Sequence, residues 1–428
     1  ETVDAGLEAG ADLWADSGGD VGPADGEILD GQPSDGVLSD GELPDNGAQD
    51  GDLAPAGDAN PEASVGDGAP AAATPTWLIH ITDTHIGASS YATQALTAAV
   101  QQVIPTISPA ATILTGDITE GGTASQFAAY QTIISGKVPA FPTYLEIVGN
   151  HDMKTGNGST FLKSSQAGKA TNSLYGVSYL GAGATRTRVY RTNTADSTNN
   201  SQQLWGYFSS AQKANLLADK TPAGITLNHT VVAGHHPVVG LIGLATLGTD
   251  KQMKELLTKS SADLYLTGHV HTKWISWVNK TLSVQTPTLG KPTLLSPKPS
   301  YMLLGLDSTG PSLREVPMGN QSSVKVTWPV VLITTPAQSD LGGKNPLAKA
   351  TSASSALAVR ALAFSPKGVS KVQVKLDSGA WATMTSASKP LWQATVTAPA
   401  TSGTRTLQVQ ATSPEGTDTH TIKFLVGP

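Results

Sequence analysis

One short pattern, written five times, restricts this chain more than any other feature. A run of apolar and β-branched residues ends, usually through a glycine, in side chains that can hold a metal ion. Trp77–Thr82 leads into Asp83-Thr84-His85, and Ala111–Thr115 into Gly116-Asp117. Thr143–Val148 leads into Gly149-Asn150-His151-Asp152, Thr230–Ala233 into Gly234-His235-His236-Pro237, and Asp263–Thr267 into Gly268-His269-Val270-His271. Runs of this length and composition read as buried strands. Helical patterns lie between them. Tyr91–Ile104 places Leu96, Val100, Val103 and Ile104 on one face, and Thr123–Ser135 does the same with Phe127, Tyr130, Ile133 and Ile134. Ser209 to Gln212 has the spacing of a capping box ahead of Leu216 and Leu217. Strands alternating with helices predict an α/β domain. In open α/β sheets, sites form outside the carboxyl ends of the strands, so the five groups should converge on one rim.

The composition points the same way. Six of the nine histidines fall in these motifs, and His80, His229 and His420, outside them, read as structural. Residues 1–70 carry 18 Asp and Glu and no Lys or Arg, which leaves 16 acids against 27 bases in the rest. Asp83, Asp117 and Asp152 are thus drawn from a small pool. The chain has no cysteine, which removes disulfides, thiolate ligands and cysteine nucleophiles together. A cluster of Asp, Asn and His suits Zn, Mn or Fe. It holds more ligands than one ion needs, and two ions sharing a carboxylate is the economical solution.

The ordered set Asp-x-His, Gly-Asp, Gly-Asn-His-Asp, Gly-His-x-Pro and Gly-His-x-His resembles the calcineurin-like metallophosphoesterase superfamily, with all five blocks in order over residues 76–318. The resemblance implies a metallophosphoesterase-type α/β sandwich that hydrolyses phosphate mono- or diesters with two divalent or trivalent transition-metal ions (Mn, Fe or Zn). Carried over by motif, Asp83, His85 and His271 would take the first ion, Asn150, His235 and His269 the second, and Asp117 would bridge them. His151 would be the catalytic histidine near the phosphate, Asp152 would orient it, and His236 would have a supporting role. Purple acid phosphatases in the superfamily place a tyrosine three residues after the bridging aspartate. Here that residue is Glu120, so a colourless enzyme is expected.

The flanks differ in character. Residues 1–75 are Asp, Gly, Ala and Pro with scattered aliphatics, a composition that reads as a solvated acidic tether. Pairs such as Ile28-Leu29 and Val37-Leu38 raise a second reading, a surface-assembly protein whose tail links subunits into a homo-oligomer. Residues 328–428 alternate short strands with turn signals such as Ser365-Pro366-Lys367-Gly368, which predicts a β-sandwich of immunoglobulin or fibronectin type, with Trp381 and Trp392 in its core. Trp328–Pro336 also resembles a subgroup of the superfamily with an immunoglobulin-like domain after the phosphoesterase domain. The catalytic domain is expected over 76–327. No apolar run approaches membrane-spanning length, and no basic, aromatic-interleaved stripe points to nucleic acid. Few charges, abundant Ser, Thr, Asn and Gly, and no cysteine fit an exported protein. Met153–Leu204 reads as a loop shaping the pocket, with Arg186, Arg188 and Arg191 as candidates to meet substrate phosphate.

Overall fold

The computed structural model describes residues 74–196, 204–240, 242–293, 296–320 and 322–428. Residues 1–73 lie outside the described residues, and with them the tether and subunit-linking expectations.

The predicted runs are strands: β1 (Thr76–Ile81), β2 (Ala111–Thr115) and β3 (Tyr144–Ile147) pair in parallel. β2 and β3 are buried along their whole length, as parallel strands covered on both faces must be. A second sheet holds β4 (Gly176–Leu180), β5 (Thr185–Arg191), β6 (Thr226–Ala233), β7 (Leu264–Thr267), β8 (Trp274–Val278) and β9 (Thr281–Gln285). β10 (Ser300–Asp307) returns to lie antiparallel beside β1, with Gly305 opposite Trp77, and β11 (Gly310–Pro317) closes that edge. The orders are β11-β10-β1-β2-β3 and β4-β5-β6-β7-β9-β8.

The sheets pack face to face. Leu78, Ile113 and Leu145 meet Val189, Val231 and Leu266 between them. Helices Ser90–Ala98 and Ala124–Ile134 cover the outer face of the first sheet through Leu96, Phe127 and Tyr130. Helices Ser210–Leu217 and Asp250–Lys259 cover the second through Leu216, Met253 and Leu256. Helix Ala124–Ile134 starts where its sequence demands: Thr123 accepts from the Gln126 backbone N–H, and the Gln126 side chain turns back to the Thr123 N–H.

Met153–Leu204 is a correction. It carries helices Ser159–Ser164 and Gln166–Thr171 and strands β4 and β5, so most of it is scaffold. The arginines belong to that scaffold. Arg191 is buried and donates to Thr171, Arg188 donates to the Ser260 carbonyl and Thr230, and Arg186 donates to the Gly183 carbonyl. Polar Ser, Thr and Gly masked these short strands, whose burial comes from their neighbours.

From Val330 onward the chain is a β-sandwich. Val330–Thr335, Ala356–Phe364, Leu391–Thr397 and Thr385–Ser388 form one sheet, and Lys371–Leu376, Gly403–Ser413 and Gly416–Gly427 form most of the other. Val331, Val359, Val372, Leu407, Phe424 and Trp392 fill the space between. Trp381 does not join them: it is half-buried, with Lys375 Nζ 4.9 Å above its ring. The sandwich shares a core with the α/β sheets. Val330, Leu332, Leu362, Phe364 and Leu391 belong to one apolar cluster with Ile79 and Leu303, and the Phe364 ring lies 6.2 Å from that of Trp77. Polar locks flank this seam. Arg360 reaches Asp307 at 2.6 Å, Thr334 and Thr335 donate to the same carboxylate, and Arg314 pairs with Asp418.

Candidate metal centre

The five strand ends meet at one rim, and the backbone there is bent to make them meet. Asp83, His85, Asp117, His269 and His271 all have positive φ, between 44° and 74°. Left-handed backbone is unfavourable for residues with a Cβ, and such strain persists where the surroundings impose it, commonly at functional sites. Two glycines permit the approach. A Cβ on Gly149 would stand 2.1 Å from the Asp117 nitrogen, and one on Gly268 1.9 Å from Thr82 Oγ1. Backbone bonds lace the loops together: the Asp83 and His85 N–H groups donate to the carbonyls of Gly116 and Asp117, and Gly268 donates to His235.

The side chains form two neighbouring groups. In the first, His85 Nε2 and His271 Nε2 face each other at 2.9 Å, and Asp83 Oδ1 lies 3.4 Å from His271 Nε2. In the second, His235 Nε2 lies 3.0 Å from Asn150 Oδ1, and the His269 ring centroid is 5.0 Å from that of His235. Asp117 stands between the groups: its Oδ2 is 3.8 Å from His85 Nε2, 3.3 Å from His235 Nε2 and 3.9 Å from His151 Nε2. All seven side chains expected as ligands are therefore gathered here. Asp83, His85, Asp117, Asn150, His235 and His269 are buried and His271 is nearly so.

The electrostatics fit a cation. His235 Nδ1 lies 2.7 Å from the Thr115 carbonyl. A carbonyl only accepts, so Nδ1 carries a proton and Nε2 faces the oxygens of Asn150 and Asp117. Burial opposes charge on His235, yet Asp117 and Asp83 raise it to about 9, so this position calls for positive charge. Burial would raise Asp117, but the surrounding His235, His151 and His85 hold its carboxyl well below the usual range. Burial beside His236 and His235 keeps His269 neutral, and its buried Nε2 has no hydrogen-bond partner among the described residues. A neutral imidazole with an unused nitrogen, aimed among carboxylates and imidazoles, is what a borderline divalent ion takes.

His151 is held by a contact absent from the sequence argument. Its Nδ1 lies 2.6 Å from the Glu120 carbonyl, which turns Nε2 toward Asp117. Asp152, expected to orient it, makes its four bonds elsewhere. The carboxylate accepts from the N–H groups of Ile118, Thr119 and Gly149 and from the Thr119 hydroxyl, tying the loop after β2 to the turn after β3. His236 supports from behind, with its ring centroid 4.2 Å from that of His269 and Nδ1 3.1 Å from Thr194 Oγ1. The three histidines read as structural stay out of the centre. His80 sits between Thr115 and Thr286, His229 lies 3.4 Å from Asp263, and His420 accepts from the Ile333 N–H.

Sequence reasoning missed Lys154, Lys291 and the part Glu120 plays. Lys154 Nζ is 3.0 Å from His151 Nδ1, and Lys291 Nζ is 3.0 Å from Glu120 Oε1. One signal was present. After β9 a sixth run reaches Gly290-Lys291 with no metal-binding side chain, and a Cβ on Gly290 would stand 1.9 Å from the Thr84 carbonyl.

Residues 76–273 match the family model of calcineurin-like phosphoesterases. Among solved structures, the chain is similar to GAP50, the anchor in the inner membrane complex of Plasmodium, at 13% identity over 59% of this chain and 87% of that one, with a TM-score of 0.43. A putative 5'-nucleotidase from Staphylococcus aureus is similar at 15% identity over 59% of this chain and 56% of that one, with a TM-score of 0.39. The fibronectin(III)-like modules of Clostridium thermocellum CbhA align at 18% identity over 36% of this chain and 77% of that one, with a TM-score of 0.19. No curated protein matches. Among the described residues no helix is long and apolar enough to cross a membrane. Over residues 76–273 the chain is a calcineurin-like phosphoesterase domain, of a family that is generally made up of metal-dependent hydrolases.

Proposed function

We propose that this protein hydrolyses phosphate mono- or diesters with two transition-metal ions, Mn, Fe or Zn. One would be held by Asp83, His85 and His271, the other by Asn150, His235 and His269, with Asp117 shared. The observation that carries this reading is the place of Asp117 Oδ2, within 4 Å of an imidazole nitrogen from each group. When bound, such a pair neutralises the phosphoryl oxygens and supplies a hydroxide nucleophile at neutral pH.

The chain's own residues do the rest. The Glu120 carbonyl fixes the Nδ1 proton of His151, so Nε2 is the nitrogen that holds or delivers a proton at the leaving oxygen. The Asp117 carboxylate is itself steadied by the His151 backbone N–H, donated to Oδ1 at 2.8 Å. Asp152 keeps the two loops in register beneath both. Lys154, exposed beside the His151 ring, adds positive charge where an anionic ester would approach. The sparse charge and the absence of cysteine support an exported enzyme.

The test is elemental analysis of metal-reconstituted protein together with a panel of mono- and diesters. Two ions per chain and turnover of at least one ester class are expected, and Asp117→Ala should lose both ions. One ion or none in the wild type, or no turnover of any ester by the two-ion form, would refute the proposal.

A further inference from the structure

Besides the groups around Asp117, the rim brings together a third set: His85, Glu120 and His151. Its members are joined in an unusual way, because Glu120 touches both imidazoles with different parts of itself. Its backbone carbonyl meets His151 Nδ1, while its side-chain Oε2 lies 2.7 Å from His85 Nδ1. The backbone is fixed on the other side, since the Glu120 N–H donates to the Ile86 carbonyl and Ile86 bridges to Thr119. The remaining carboxylate oxygen, Oε1, lies 3.0 Å from Lys291 Nζ.

We infer that Glu120 is a positioning residue for the metal centre: its carboxylate holds the His85 ring with Nε2 turned toward Asp83, His271 and Asp117, and Lys291 holds Glu120. This rests on the metal-binding reading above. An imidazole can bind an ion through either nitrogen, and its choice is set by what the other nitrogen touches. His85 is buried, so its Nδ1 cannot be satisfied by bulk water, and the oxygen it meets is that of Glu120. The contact is short but does not meet the geometry of a linear hydrogen bond, so the carboxylate acts on the Nδ1–H as a charge facing a dipole. A carboxylate behind a ligating imidazole fixes its tautomer and makes it a stronger donor.

Two observations separate this role from that of a third ion site. Lys291 already places an ammonium on Glu120, and Lys154 places one 3.0 Å from His151 Nδ1, so positive charge is supplied from both sides. His85 Nε2, in turn, is engaged with the first group at 2.9 Å from His271, leaving only Nδ1 to face Glu120. The residue three places after Asp117 thus acts from behind His85 rather than on an ion.

The test is competitive titration of the metal-free protein with Zn²⁺ against a chelator, for wild type, Glu120→Ala, Glu120→Gln and Lys291→Met, with melting of each metal-free form. Wild type should bind two ions. Glu120→Ala should bind one of them about 10–100-fold more weakly while the other stays within a few-fold, the usual scale for losing an outer partner of a ligand. Glu120→Gln keeps an oxygen for the Nδ1 proton and should fall between, and Lys291→Met should give a smaller loss at the same ion. Melting of the metal-free forms should be unchanged. Equal weakening of both ions with a lowered melting point would make Glu120 merely structural. Unchanged affinities for both ions would overturn the inference while leaving the two-ion centre standing. Three ions in wild type and two in Glu120→Ala would make Glu120 a ligand instead. A wild type that binds no ion would overturn both readings.

Discussion

Glu146, in β3, offers a measurement whose size and sign follow from its surroundings. Its carboxyl is buried: Oε1 accepts from the Tyr130 hydroxyl at 2.8 Å and Oε2 from the Ala167 N–H at 2.9 Å. Tyr144 stands behind Tyr130, with the hydroxyls 3.3 Å apart. Burial outweighs these hydrogen bonds and the attraction of Lys169, and pushes the group from 4.5 up to about 7. Between those values the folded chain keeps a proton that the unfolded chain has lost. Stability is therefore fullest below about pH 4.5 and falls as pH rises through about 7, by about 3 kcal/mol at 1.36 kcal/mol per tenfold. Glu146→Gln removes the titration. The amide oxygen can take the Ala167 N–H, and the amide nitrogen can donate to Tyr130, whose own proton turns to Tyr144. Urea denaturation of both proteins at a series of pH values is the assay, read as the difference between them, which cancels groups common to both. The variant should match wild type near about pH 4 and become about 3 kcal/mol more stable by about pH 8.5. A difference that does not change with pH, or one in which wild type gains as pH rises, would refute the reasoning.

Other substitutions address the centre and the seam. His151→Ala should keep both ions by elemental analysis and lose about 10²–10⁴-fold in ester hydrolysis, the range for a general acid; full activity would place the proton donor elsewhere. Asp152→Ala strands three backbone N–H groups and the Thr119 hydroxyl, so the melting point should drop by the equivalent of about 3 kcal/mol or more, and a neutral result would mean the two loops hold without it. Phe364→Ala, in the sandwich half of the shared core, should cost about 3–5 kcal/mol and shift one cooperative unfolding transition of the whole chain. Two separated transitions, only one of them shifted, would show that the seam does not couple the halves. Arg360→Met leaves the Asp307 carboxylate buried without its cation, held only by the Thr334 and Thr335 hydroxyls and the Ser308 N–H, and should cost about 3–5 kcal/mol in the same assay.

The sequence carried the parts of this site that depend on chain order. Strand and rim residues are contiguous at all five ends, with a glycine between them at four, so the rim and the seven side chains gathered on it were legible from chain order. What lay beyond reach depends on loops meeting one another. Asp152 follows His151 in sequence, which made a direct contact between them the obvious guess, but a one-turn helix points its carboxylate back at the loop after β2. In the sequence Glu120 stands out only as the residue in place of a tyrosine; its contact behind His85 shows only once β1 and β2 are side by side. Lys291 reaches the site from after β9, a region without periodic signal. The sandwich was legible from alternation and turn residues. Its fusion to the first sheet was not, because Leu332, Leu362 and Phe364 look like any inward-facing strand residues and nothing in their pattern says which core they fill.

The place of β10 governs when this centre can first exist as the chain is made. β1 carries Asp83 and His85 from its end, and one of its two neighbours is β10, where Gly305 faces Trp77. Every rim side chain through His271 is synthesised before that neighbour appears. A chain halted short of Ser300 would hold all seven rim side chains while β1, the middle strand of the first sheet, still had an open edge, ready to pair with the wrong partner. The sheet that carries the rim is accordingly closed only in the finished polypeptide, once β10 has covered that edge of β1.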